Sequence, residues 1–556
     1  LKNQEIDENE HALDWARRHV VQNCIYGVDI NELAVELGKL SLWIETMAEG
    51  KPLNFLDHHL KHGNSLIGSD FDEIFSHPTE DQKRLDSERY QFGNPQEIKE
   101  NFQEQYLEIE EMPENTVEQI HEKEQAYKQF ISNNTLYQQF QQLANIHTRQ
   151  HFTKEANSSD YESFLINVGN PGNPFENTEW YKNAQQDAEN RNYFHWQLEF
   201  PKVFFGQIQG FDAVVGNPPY VSVKDVPESL RDYLKSNTNH FIKRGDLYMS
   251  FLELASELSG ANGKYSYIIP FPFLNQNYAE SFRTEYLENY DLEQITDFSN
   301  YEVFEDASVR NITLIADKAK QKSDIELRRP CLSSKKIESV ESEIISAEKF
   351  QDFYRNMFRI DALDKIPLLE SIENKTFDLE NICLIKFGAR GQHSDDKKRD
   401  TFKKMLKGEG IRRYHHNWMG EYLIYEEDSL YRPSHKSIFE NDKLVISYVT
   451  GEEGIRASVD RDNFYTDNSV SCCLLKKELV DVKEEISGRK VDMSEEKIEK
   501  SRKYNLEEIL GLLNSRLLNF YFRTKLGYDL NVYPNYLQML PIPEYNSKLE
   551  KISSKV

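Results

Sequence analysis

Apolar and polar positions alternate between several regimes along the chain. Short apolar runs that stop at polar turns predict buried strands at residues 24–30, 211–216, 264–269 and 311–316. After the first, Asn31 is placed as an N-cap, and Ala34, Val35, Leu37, Leu40, Leu42, Trp43 and Ile44 predict a mostly apolar helix. A second apolar helix opens at Asp246-Leu247-Tyr248 and runs through Leu254. Strands alternating with such helices make a doubly wound α/β sheet. Between residues 71 and 190 Glu, Gln, Asn and Lys dominate. The clearest periodicity there is Tyr127, Phe130, Leu136, Tyr137, Phe140 and Leu143, which predicts a helical, mostly solvated insertion. His147 and His151, four apart, are read as a solvated helix pair rather than a zinc site, because no third ligand is near in sequence. An aromatic lead-in, Tyr193-Phe194-His195-Trp196 onward, returns the chain to the core. From residue 376 short strands (382–387 and 443–449) separated by polar turns predict an irregular β-rich region. A helix over 506–522 and a proline-rich ending at Leu540-Pro541-Ile542-Pro543 follow it.

A length of 556 residues is too great for one core, so two to four domains are expected. No apolar run is long enough to span a membrane, and no signal peptide opens the chain, so a cytoplasmic location is expected. Five cysteines without paired spacing read as reduced thiols, and no metal site is expected. The net charge of −27 argues against a protein coated in nucleic acid on all sides but leaves room for a local basic groove. One such stretch exists. Lys386, Arg390, Lys397, Lys398, Arg399, Lys403, Lys404, Lys407, Arg412 and Arg413 gather in the β-rich region, with His415, His416 and Trp418 behind them. Phosphates want this charge, and Arg and Gln can read base edges. A charge run is as often only a solvated face.

The candidate chemistry lies at Gly216-Asn217-Pro218-Pro219-Tyr220, just past a strand end, where open α/β sheets bind ligands. The Asn217 amide oxygen and the Pro218 carbonyl are acceptors, and together they suit both hydrogens of an –NH2 group. Tyr220 offers a flat face for a ring. Asp29, at the tip of a strand in a βαβ pattern, suits two ribose hydroxyls, although a lone acid there is more often a capping or loop residue. The loop His62-Gly63-Asn64-Ser65-Leu66-Ile67-Gly68 is a second candidate for ligand contact.

These residues, in this order, resemble the motifs of DNA methyltransferases that modify the adenine amino group, of the gamma class. The wording from Ile25 to Ile67 and the aromatic lead-in are similar to fused restriction–modification enzymes of type IIG. The resemblance implies a Rossmann-like class I methyltransferase fold and S-adenosylmethionine as methyl donor. It implies Asn217, Pro218, Pro219 and Tyr220 as the catalytic residues, Asp29 and Ile30 at the cofactor ribose, and Asn64 and Ser65 near its adenine. It also implies a second aromatic surface for a flipped base, for which Tyr278 is the candidate with Phe273 behind it; core packing is the competing role for both. The implied domains are a cofactor half at 1–70, the insertion at 71–190, a catalytic half at 191–325, a connecting segment at 326–375 and an α+β target-recognition domain at 376–556. Arg390, Gln392, Arg412 and Arg413 are the candidate contacts to double-stranded DNA.

One part of that pattern is missing. No glycine-rich loop lies between Leu1 and Tyr26, and no convincing nuclease cluster of carboxylates and lysine occurs. The chain opens at Leu1 and is read as a fragment whose N-terminal part, and any nuclease domain, lies elsewhere. Three readings stay open: adenine methylation within a fused restriction–modification enzyme, a stand-alone modification enzyme whose N-terminal piece lies elsewhere, and DNA recognition by a protein with an inactive methyltransferase scaffold.

Overall fold

The computed structural model describes residues 12–47, 52–76, 94–132, 135–153, 155, 157–168, 174–206, 209–241, 245–304, 309–318, 324–333, 336–395, 401–426, 430, 434–449, 451, 454–483, 485, 491–527 and 531–556. They fall into two compact units. One holds residues 1–271 and 285–344, the other 272–284 and 345–556.

In the first unit, helix α1 (Ala12–Cys24) leads into strand β1 (Gly27–Asp29), so Cys24 belongs to the helix and the strand is shorter than the apolar run suggests. Helix α2 (Glu32–Thr46) starts where expected. Asn31 has extended backbone angles, and its side chain accepts the Leu33 N–H. Strand β2 (Leu60–His62) pairs parallel to β1, with Asp29 opposite His62.

The insertion corrects an expectation. Helices α3 (Pro95–Glu110), α4 (Val117–Phe130), α5 (Leu136–Gln150), α6 (Ser158–Ile166) and α7 (Glu179–Arg191) are not a solvated appendage. They enclose an aromatic core of their own, in which Phe71, Phe75, Phe102, Tyr106, Phe140 and Phe164 are buried. The helical spacing of Ile98, Phe102, Tyr106 and Ile109 on α3 puts those side chains on one face, and burial of that stripe offsets the polar remainder. His147 is likewise buried rather than solvated, its Nδ1 2.8 Å from the Ser69 hydroxyl.

After the short helices α8 (Trp196–Glu199) and α9 (Pro201–Phe204) the chain enters strand β3 (Phe211–Gly216). A six-stranded sheet follows, built from β4 (Ser259–Pro270), β5 (Asp291–Asp297), β6 (Asn311–Asp317), β7 (Ile325–Ser333) and β8 (Lys336–Ile345) in the order β3-β4-β6-β5-β7-β8. Helices α10 (Glu228–Asn237) and α11 (Tyr248–Leu258) occupy the β3–β4 crossover, and β3 and β4 run parallel as a crossover requires.

β6, read from the sequence only as a further buried strand, lies inside the sheet, antiparallel to both β4 and β5. Two expectations change here. Residues 326–344, expected as a connecting segment, supply the strands β7 and β8 instead. Strand β3 is not a buried central strand either. It is the sheet's edge, since among the described residues no strand pairs with its other side, and Val215 is 78% exposed. β1 and β2 form a separate two-stranded sheet, and Tyr26, just before β1, brings its ring to 5.7 Å from that of Phe211 at the start of β3.

The second unit is β-rich, as expected. Strands Cys383–Phe387, Val470–Leu475, Lys443–Ser447 and Ala457–Asp460 make an antiparallel sheet in that order. A second sheet carries Phe402–Leu406 and Tyr422–Ile424. The helix expected over 506–522 is broken. Ser515 caps a new helix (Arg516–Tyr521) after Leu506–Leu513, and the chain ends that run in a π-turn. The expected length came from apolar content, which does not register a cap in mid-run.

Candidate active site

Strand β3 delivers the candidate tetrapeptide into solvent. Gly216 is its last residue, and a Cβ there would lie 2.8 Å from the Tyr267 ring, so the strand can end beside that ring only with glycine. Asn217 and Pro219 are exposed and Pro218 is buried. The Asn217 amide makes no hydrogen bond to any described residue and is available to a ligand. Tyr220 is half-buried and held at its far end. Its hydroxyl donates to the Ile268 carbonyl of β4 at 3.0 Å and accepts from the Asn311 side-chain amide of β6 at 3.1 Å. Burial pushes the phenol up to about 12, so it stays a donor at neutral pH. Beyond it the backbone is tied down by Leu247 N–H to the Val221 carbonyl (2.9 Å) and Val223 N–H to the Gly245 carbonyl (3.1 Å). The tetrapeptide is thus fixed at both ends, with the exposed Asn217 amide open to a ligand.

Asp29 ends β1 with an exposed carboxylate. One oxygen accepts the Asn31 N–H at 2.8 Å, which leaves the second oxygen for a ligand hydroxyl. Ile30 is 58% exposed beside it, and His62 Nε2 donates to the Ile30 carbonyl at 3.0 Å. The Gly63 N–H donates to the Asp29 carbonyl (2.9 Å), so the two loops are joined. Asn64 is pinned through its backbone to the Asn192 carbonyl (2.6 Å), and its side-chain oxygen accepts the Leu66 N–H, an arrangement that leaves its amide N–H groups for a ligand. Trp196 Nε1 donates to the Ser65 carbonyl at 3.0 Å. Gly63 and Gly68 cannot be replaced without collision, since Cβ atoms there would come within 2.4 Å and 2.1 Å of Phe194. The chain therefore holds a carboxylate oxygen and an amide donor in two loops that it rigidly links, a donor set that fits a nucleoside.

The remaining candidates divide. Tyr278 and Phe273 belong to the second unit. Phe273 is fully buried against Phe282 and offers no face to a base, so it is core; Tyr278 is half-buried. The loop that carries them is clamped by buried Arg283, which donates to the carbonyls of Phe273, Gln276, Arg355 and Asn356. Arg390, Gln392 and Arg412 are exposed and Arg413 is half-buried. Arg412 is partly tied back to the Glu409 and Ile411 carbonyls, while Lys404 lies 4.8 Å from the centre of the Trp418 ring. Lys397, Lys398 and Arg399 lie outside the described residues. Asn311 was missed by sequence reasoning, although one amide opening an otherwise apolar run was a usable signal. A cavity of about 440 Å³ behind the Ser65–Gly68 loop is acidic, lined by Asp70, Glu73, Glu253 and Glu257, and neither Asp29 nor Asn217 borders it.

A polar tetrapeptide at a strand tip, an acid on a second strand and a separate β-rich unit are the features that the comparisons with known proteins meet. The chain belongs to the Eco57I restriction-modification methylase family, whose model matches residues 23–304. The model of the TaqI-like C-terminal specificity domain matches residues 403–487. Among curated proteins it is similar to RM.MjaORFECS2P of Methanocaldococcus jannaschii, assigned by inference as a type II restriction enzyme and methyltransferase, with 23% identity over 340 residues. That match covers 55% of this chain and 26% of the relative. It is also similar to the type II restriction enzyme and methyltransferase RM.Eco57I of Escherichia coli, 28% identical over 112 residues, covering 19% of this chain and 11% of the relative. The chain thus spans about a quarter or less of the length of these two relatives. Among solved structures, the type IIG restriction endonuclease BpuSI aligns with 13% identity and a TM-score of 0.29, over 76% of this chain and 60% of that one.

Proposed function

We propose that this chain carries the catalytic and target-recognition parts of a site-specific DNA methyltransferase that modifies the 6-amino group of adenine, with S-adenosylmethionine as donor. The observation that carries this is the Asn217–Tyr220 segment, anchored through Tyr220 and presenting the exposed Asn217 amide at the end of β3. A duplex hides the adenine amine, so the base has to leave the stack at a cost of a few kcal/mol, and stacking on Tyr220 offsets roughly 1–3 kcal/mol of it. The amine's lone pair is conjugated with the ring. The Asn217 oxygen and the Pro218 carbonyl hold the two amine hydrogens, favour the pyramidal amine and stabilise the positive charge that grows on nitrogen. Asp29 and Ile30 would hold the ribose of the donor, and Asn64 and Ser65 its adenine; the bound donor supplies an electrophilic methyl group. The incoming DNA is met by Arg390, Gln392, Arg412 and Arg413 in the specificity domain. On this reading the methyltransferase half is of the Rossmann-like, doubly wound kind.

Calorimetry with S-adenosylmethionine tests it. The natural full-length polypeptide should bind, and Asp29→Ala should weaken binding by roughly 5- to 100-fold, the equivalent of one charge-assisted hydrogen bond to a hydroxyl. No binding by either would favour the alternative, a DNA-recognition protein on an inactive scaffold.

A further inference from the structure

Away from the candidate active site, the turn that precedes β2 places His58 and His59 side by side in the interior. His58 is 1% exposed and His59 is fully buried. Both Nε2 atoms converge on one oxygen of Glu110, the last residue of α3: His59 at 2.7 Å and His58 at 3.3 Å. Only the first is a hydrogen bond. Both ring nitrogens of His58, and Nδ1 of His59, are buried without a hydrogen-bond partner. Leaving such groups unmade costs about 1–3 kcal/mol each, and native interiors rarely tolerate it. The Tyr26 hydroxyl is a fourth buried polar atom without a partner, its ring 4.2 Å from that of His59.

We propose that His58, His59 and Glu110 form a site for a single first-row divalent metal ion of the zinc type, structural in role and independent of the methyl-transfer reading. The three ligand atoms lie within 4.8 Å of one another. Zinc takes nitrogen and carboxylate oxygen at about 2.0–2.2 Å, which puts tetrahedral ligands about 3.3 Å apart, the separation His58 and Glu110 already have. The His59 contact, now 2.7 Å, has to lengthen by about 0.6 Å to reach that separation, exchanging its proton for the metal.

The surrounding cations do not forbid an ion. Lys61 is paired with Glu199 (2.7 Å), Lys123 with Glu114 (2.7 Å), and Lys202 with the other Glu110 oxygen (3.0 Å). The consequence is mechanical. Glu110 belongs to the insertion and His58-His59 to the turn that leads through β2 into the Asn64 loop, so the ion would fasten one to the other.

The test is the metal content of the purified full chain, followed by chelator stripping and readdition of Zn²⁺ or Co²⁺. The expected result is one ion per chain, visible tetrahedral bands with Co²⁺ and a higher melting temperature with Zn²⁺. Loss of an outer-sphere partner commonly costs about 10- to 100-fold in metal affinity, so Glu110→Gln and His58→Phe, each removing a ligand, should cost at least about 100-fold. If a variant fails to fold, the Co²⁺ spectrum of the wild-type chain still decides. Absence of stoichiometric uptake and of Co²⁺ bands would overturn the proposal and leave a water-filled polar cluster. Uptake unchanged in both variants would overturn it equally.

Discussion

Tyr220 separates two roles that one residue can play, and two substitutions tell them apart. Tyr220→Phe keeps the ring but removes a hydroxyl that joins the Ile268 carbonyl to the Asn311 amide. Asn311 is fully buried, and its amide oxygen already lacks a partner, so stranding its N–H as well should destabilise the protein by about 1–3 kcal/mol. The ring itself remains held by its neighbours, Tyr248 among them with its centroid 6.4 Å away. Tyr220→Ala removes the platform. If the ring stacks on an extruded base, about 1–3 kcal/mol of transition-state binding goes with it, roughly a 5- to 150-fold loss in kcat/KM. Methyl transfer from labelled donor to a DNA duplex, alongside the fluorescence of 2-aminopurine at the target position, reads both effects. The expected pattern is a Phe variant within a few-fold of wild type in rate but lower in melting temperature, and an Ala variant weak in both rate and base extrusion. Equal rate losses in the two would refute stacking and leave Tyr220 as a strut between β4 and β6.

Two stability predictions follow from buried charge. In the specificity domain Lys443 and Asp460 are both fully buried, 2.6 Å apart, and Asp460 also accepts the N–H groups of Asp462 and Phe464. Lys443→Met should cost about 3–5 kcal/mol in urea unfolding; a loss under about 1 kcal/mol would contradict the pairing. His195 is buried, accepting the Ser69 N–H at Nδ1 and donating from Nε2 to Asn145, and burial lowers its pKa from 6.5 to about 4. Because the folded state holds it neutral, its contribution is complete above pH 6.5 and is lost as pH falls through 4, about 3 kcal/mol in all. Urea midpoints measured from pH 7 to 4 should fall more steeply for wild type than for His195→Gln, and parallel curves would count against it.

Local chemistry was legible in the sequence wherever neighbours in the chain supply it. The Asn31 cap, the α2 helix, the strand ahead of Asn217 and the β-rich character of the second unit all follow from residues a few positions apart. Failures came where partners are distant. The interior place of β6 depends on which strands it meets, not on its own apolar run. The insertion looked solvated because its composition is polar, yet one aromatic stripe per helix suffices to build a core. The edge position of β3 likewise depends on which strands pair with it, and no property of its own apolar run announces it. The same distance hid Glu110, which lies 51 residues from His59 in the chain and meets it in space.

The most direct test is nucleoside mass spectrometry of DNA from cells that express the full-length polypeptide carrying this chain, in wild-type form and as Asn217→Ala. Wild type should mark DNA with 6-methyladenine at one sequence context. The variant should abolish the mark while DNA binding by the purified protein changes by no more than a few-fold. A mark on another base, or 6-methyladenine undiminished in the variant, would contradict the role assigned to the Asn217–Tyr220 segment.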